Sequence, residues 1–301
     1  MAKKTTKTKT PTTTHKMPVA NLPLPNVLVI TRKAAHILWK YRLLFAGITL
    51  IYGLLNVFFA QALSGGVDVA NIKNNLEQST DGKIGQFGVG FGAFVYVLGT
   101  AGNNASSAAS AFQLLLMLIC SLAVIWSLRQ VYTGASPSIR DAFYRGMYPL
   151  VPFILVLMVI TLQLLPLLAG STLYSIVVSN GIAVNLIEQL IFGVIYVVLA
   201  GFTVYWLTAS VIALYVVTLP EMTPIKAVRS ARELVKGRRW LVLRKMLFLP
   251  VLLVIIEAVI LIPIIIVYAP AAKYVYFILT MFGLVAIHSY IYALYRELLN
   301  E

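Results

Sequence analysis

The chain has 301 residues, 60% of them hydrophobic and 11% charged, with a mean hydropathy of +0.88. A soluble domain carries roughly a quarter charged residues, so this composition excludes one and describes a chain built to sit in lipid. The net charge of +14 invites a nucleic-acid partner, but the Lys and Arg crowd into a tail and into short loops beside apolar runs, where orientation in a bilayer accounts for them, and no nucleic acid is expected.

Residues 1–24 form a Lys/Thr/Pro tail with almost no large apolar side chains. Too little surface can be buried there to offset ordering entropy, so the tail reads as a disordered, basic, cytoplasmic extension of a membrane domain at 25–301. About forty residues precede the first long apolar run, too many for a cleavable leader, and the first helix is expected to be retained. Residues 25–42 set Arg32, Lys33, His36, Lys40 and Arg42 among Val29, Ile30, Ile37, Leu38 and Trp39, the mixture of a basic interfacial helix. A first span follows at 43–63.

Residues 64–107 read as an external insertion. Val69, Ile72 and Leu76 recur at helical spacing and predict a short amphipathic helix at 67–79. The next run, 84–99, is apolar but interrupted by Gly85, Gly88, Gly90 and Gly92. It falls short of the roughly 20 residues that a crossing needs and is expected to be re-entrant or interfacial. No strand precedes these glycines and no Lys-Ser or Lys-Thr follows them, so close backbone packing explains them better than a nucleotide loop.

Further spans are expected at 108–128, 148–168, 186–217, 247–268 and 274–295, the last two separated by a tight turn at Pro270. The run at 186–217 exceeds the bilayer thickness and has to tilt or project. The fold class is therefore all-α: a polytopic membrane protein of six transmembrane helices, arranged as three hairpins preceded by basic interfacial helices. The tail, the first elbow, the loops at 128–147 and 218–246, and Arg296 carry nearly all the positive charge, against only Lys73, Lys83 and Lys273 on the other side. Both termini are accordingly expected in the cytoplasm and the chain in the cell (plasma or inner) membrane.

The segment 223–247 organises this plan. Thr223-Pro224 offers a capping hydroxyl and a proline at the first helical position, and Gly237 stands where a glycine would end the helix. Ile225, Val228, Ala231 and Val235 define an apolar side expected to sink into the acyl boundary. Lys226, Arg229, Arg232, Lys236, Arg238 and Arg239 are the expected contacts to lipid head groups, which makes anionic membrane lipids the expected partner. Ser136-Pro137-Ser138-Ile139-Arg140-Asp141-Ala142 repeats the theme of hydroxyl, proline, isoleucine, base and alanine, and Gly146 is read as its helix end.

The inventory of chemistry is thin. No cluster of His, Asp and Glu suits a metal, no Ser sits in a nucleophile elbow, and no catalytic residue, metal or cofactor is expected. Cys120 stands alone in an apolar run as a small hydrophobe. Asn56 and Gln163 read as interhelical glue. Glu257 on the fifth span and His288 on the sixth lie at depths that differ by about one turn when counted from the expected span ends, so they form a candidate intramembrane pair.

The segment Leu219-Pro220-Glu221-Met222-Thr223-Pro224-Ile225-Lys226-Ala227-Val228-Arg229-Ser230-Ala231-Arg232-Glu233-Leu234-Val235-Lys236-Gly237-Arg238-Arg239-Trp240 resembles the loop before the fifth helix in the membrane domain of glycerophosphoryl diester phosphodiesterases. It is similar also to loops of related uncharacterised six-helix bacterial membrane proteins. The resemblance implies a membrane module without the enzyme, since no barrel-length soluble region with a His/Glu metal set follows the last span. The expectation is an integral membrane protein that contacts lipid or serves as a scaffold of the cell envelope. The alternative is a small-solute or proton-linked carrier using Glu257 and His288.

Overall fold

The computed structural model describes residues 25–60, 69–79, 86–100, 107–179 and 185–299; the 1–24 tail and parts of the 64–107 insertion lie outside them. Every regular element among the described residues is an α-helix: α1 (Val27–Lys40), α2 (Arg42–Phe59), α3 (Val69–Ser79), α4 (Gln86–Thr100), α5 (Ser107–Tyr132), α6 (Ile139–Gly146), α7 (Leu150–Ser179), α8 (Leu186–Val216), α9 (Pro224–Val235) and α10 (Arg239–Leu299). Five of them, α2, α5, α7, α8 and α10, are long and apolar enough to cross a membrane, compatible with a multi-pass membrane protein.

Helix α10 has 61 residues and would be about 90 Å long if straight. It is not straight. Tyr268 has φ −149 and ψ 81, outside the helical region. The Tyr290 hydroxyl donates to the Lys245 carbonyl at 2.8 Å across 45 residues of sequence, a contact that only a folded-back element can make. The two partners lie nearly equidistant from Tyr268, so α10 is an antiparallel pair of arms, 239–267 and 269–299. Pro270, read from sequence as the turn, opens the returning arm. It has no N–H to give to the Ile266 carbonyl four residues back, and Lys73 of α3 donates there instead at 2.9 Å.

Two packing centres result. The larger joins α1, α2, α5, α6, α9, the first third of α7, the last third of α8 and most of α10, with Ile30, Ile48, Ile125, Ile212 and Leu294 at 0% exposure. The smaller sits at the tip of α10, where Val69 of α3 and Ala93, Phe94 and Val97 of α4 bury against Leu261, Ile265 and Ala269. Gly90 carries this second contact: a Cβ there would lie 3.1 Å from Ile266 and 3.3 Å from Ile262, the close packing expected of the glycine run.

Helices α7 and α8 pack chiefly on each other. Gly170 lets Leu199 approach, Tyr174 stacks on Tyr196, and the Ser210 hydroxyl donates to Gln163 at 2.7 Å, so Gln163 does bridge helices. Asn56 does not. Its amide donates to the Tyr52 carbonyl of its own helix. Helix α7 also runs past the expected end at 168, to Ser179. Ser171 and Thr172 both return their hydroxyls to the Leu168 carbonyl, so these polar side chains do not interrupt the helix.

Candidate functional site

The elbow α9 forms for the reasons its sequence supplies. Thr223 accepts a hydrogen bond from the Lys226 N–H at 3.4 Å, Pro224 fills the first turn, and Gly237 at φ 79 closes the helix in the left-handed region. Its buried face differs from the expected one. Ala227, Ala231 and Val235 are at 0% exposure against α8 and the main core, while Ile225 is 82% exposed. The expectation that Ile225, Val228, Ala231 and Val235 together face lipid is therefore corrected: Ala231 and Val235 are docked on protein, Val228 is half-buried against the same core, and Ile225 alone of the four stands clear. The physical reason is that small residues set close approach between helices, whereas hydrophobicity alone cannot distinguish a protein-facing position from a lipid-facing one in such a chain.

Docking that face turns the basic one outward. Lys226, Arg229, Arg232 and Lys236 are exposed, and Arg238 and Arg239 half-buried. The Arg239 guanidinium lies over the ring of Tyr205 on α8, 4.7 Å from its centroid. Between α9, the start of α10 and Tyr205 opens a cleft of about 600 Å³ lined by Arg229, Arg232, Lys236 and Arg239 with one carboxylate, Glu233. Four of the six anticipated head-group contacts thus share one concave surface. Lys226 and Arg238 are outside it.

The elbow α6 is also capped by a hydroxyl, but by Ser138, after the proline, and not by Ser136 before it. Ser138 accepts from the Asp141 N–H at 3.1 Å and returns its hydroxyl to the Asp141 carboxylate at 2.6 Å. That hydroxyl above all, with Arg145 and Arg140 nearby, holds the Asp141 carboxyl below the usual range. Gly146 is the last residue of α6, as its position suggested, but it ends the helix without the positive φ that Gly237 has and serves a close contact as well. A Cβ there would lie 3.1 Å from the Ala123 Cα and 3.2 Å from the Leu122 carbonyl, so it is the point where α6 touches the backbone of α5.

Glu257 and His288 are not partners. Both ring nitrogens of His288 are taken, Nδ1 by the Tyr215 hydroxyl and Nε2 by the Ser121 hydroxyl, each at 2.9 Å. Measured from the turn at Tyr268, His288 is about 14 Å further along its arm than Glu257 along its own. The sequence marks span ends only approximately and so does not carry that offset. Glu257 is half-buried and its polar neighbour across the hairpin is Tyr276. His288 instead ties α5, α8 and α10 together beside a cluster of Tyr132, Tyr215, Tyr292 and Tyr295.

Among the described residues no three His, Cys, Asp or Glu side chains gather as a metal set. Sequence reasoning missed Tyr205, which nothing in its own surroundings marks, and the His288 bridge, whose partners lie 73 and 167 residues away. Comparison with family models, curated proteins and solved structures finds no match for this chain.

Proposed function

We propose that the chain is a six-span membrane protein without a catalytic centre, a lipid-contacting or scaffold module of the cell envelope, whose α9 elbow holds anionic head groups on its cytoplasmic side. The observation that carries this reading is the α9 cleft, where Arg229, Arg232, Lys236 and Arg239 face a single carboxylate. A concave surface with that balance attracts phosphate, and each Lys or Arg near an anionic surface contributes on the order of 1 kcal/mol. Each arm of α10 is about 30 residues, enough for the hydrocarbon core, which supports six crossings. The basic residues of α1, α6 and α9 fall on the side of both termini in this plan, which supports their cytoplasmic placement. The likeness of residues 219–240 to membrane domains that accompany lipid-related enzymes agrees with a lipid partner.

The test is binding of phosphatidylglycerol to the full chain in detergent, with and without Arg229→Gln, Arg232→Gln and Lys236→Gln together. Loss of three cations is expected to weaken binding by about 3 kcal/mol, on the order of 100-fold, and to flatten its salt dependence. Binding that is indifferent both to the triple variant and to salt removes this function.

A further inference from the structure

A second cleft, of about 540 Å³, opens where the ends of α5 and α6 meet the first turn of α7 and the turn at 217–222. This volume suits a small-molecule ligand. Its lining divides by chemistry. Leu122, Pro152 and Met222 give it an apolar floor. Arg129, Arg145 and Glu221 bring charges of both signs, and Trp126, Tyr144 and Tyr148 add aromatic surface.

The polar groups are held ready for a ligand. Arg129 donates through Nη1 to the Thr218 carbonyl at 2.8 Å, which fixes the guanidinium at the cleft and leaves its other nitrogens free to donate. Arg145 pairs only loosely with Asp141, at 3.7 Å. Glu221 has no ion-pair partner within 4.0 Å and is the one non-glycine residue with positive φ among the described residues, at 60. Such strain persists where the surrounding structure demands it, and it gathers at ligand sites. Tyr144 and Tyr148, at 84% and 91% exposure, keep their ring faces open.

Two guanidinium groups, an unpaired carboxylate and open aromatic faces complement a phosphate tethered to an ammonium. The α9 cleft has no counterpart to the second half of that set, because its one carboxylate, Glu233, stands among four cations. We propose that the α5–α6 cleft holds the head of a zwitterionic phosphoethanolamine lipid, its phosphate on Arg129 and Arg145, its ammonium against Glu221 and the tyrosine faces, and its glycerol on the apolar floor. This site is separate from the α9 cleft and does not depend on it.

The full chain, held in a maltoside detergent that carries neither phosphate nor ammonium, is titrated with short-chain phosphatidylethanolamine, with phosphatidylglycerol of the same chains, and with soluble phosphoethanolamine. Trp126 emission reports occupancy, with Trp126→Phe as the signal control. The ethanolamine lipid is expected to bind about fivefold tighter than the glycerol lipid at this cleft. Glu221→Gln is expected to bring that ratio close to one. Glu221→Gly, which relieves the left-handed strain and so leaves the turn intact, is expected to do the same. Soluble phosphoethanolamine is expected to bind about tenfold or more weakly than the lipid, because it leaves the floor uncovered. A wild-type ratio near one, or a ratio unmoved by both Glu221 variants, overturns the zwitterionic assignment. Soluble phosphoethanolamine that matches the lipid overturns the lipid as occupant. The triple variant of α9 leaves the Trp126 titration unchanged, so failure of either site is distinguishable from failure of the other.

Discussion

Ser138 and Thr223 each accept a backbone N–H from the third residue of their helix, and α6 and α9 each bury alanine at 0% exposure against the same core. Beyond the cap the two elbows diverge. Helix α6 carries Asp141 in its first turn and pairs it with Arg145, while α9 has no acid in its first turn and continues through Arg232 into Lys236, Arg238 and Arg239. One elbow is internally compensated and lines a cleft of mixed charge; the other is uncompensated and lines a basic one. A shared opening therefore fixes where a helix starts and how it docks, while the charges on its outward face decide what it can hold.

The two glycines give the sharpest way to break this comparison. Gly146→Val should drive a branched side chain into the backbone of α5 and cost about 3 kcal/mol in stability, whereas Gly237→Ala, with open space around it, should cost only about 1 kcal/mol of left-handed strain. Thermal unfolding of the full chain in detergent measures both. Equal losses would mean that the two glycines serve the same purpose after all. The caps come next in size. Ser138→Ala and Thr223→Ala should each cost about 1 kcal/mol, with the Ser138 change the larger because its hydroxyl also serves the Asp141 carboxylate; hydrogen exchange of residues 139–146 and 224–235 reads them separately. The smallest effect concerns pH. The Asp141 carboxyl is held below its ordinary value of 3.8, so its contribution to α6 is full above that value and fades as pH falls through the lowered one. Exchange protection of 139–146 should drop in that acidic window, and protection of 224–235, which has no acid in its first turn, should not.

Much of this architecture was legible because its signals are local. Hydroxyl caps, the proline at Pro224 and the closing Gly237 act within a few residues, and they place α9 between the limits they mark. The break in α10 was legible for the same reason, within two residues of Pro270. What stayed hidden depends on which helix faces which. Ile225 and Ala227 differ in hydrophobicity in the direction opposite to their burial, because lipid accepts Ile225 as readily as a core would and close approach selects the alanine. The Glu257–His288 offset is hidden for a similar reason: the sequence marks span ends only approximately, while the hairpin sets its register from Tyr268. The α9 cleft stands out as a basic run, but the wall that Tyr205 supplies lies on a different helix and carries no signal of its own.

The bond from Lys73 to the Ile266 carbonyl has a consequence of another kind. It touches only backbone at its acceptor, so the bond itself asks nothing of the Ile266 side chain, which answers instead to its packing on Gly90. The two residues that the bond itself constrains are Lys73 and Pro270, one supplying the donor that the other lacks. In a set of homologous chains these two positions, almost two hundred residues apart in sequence, should therefore change together: a lineage that replaces the proline relaxes its demand on the lysine, and one that keeps the proline keeps a long donor on the insertion. Position 73 would then record, in sequence alone, whether the tip of the last hairpin is still fastened to the insertion.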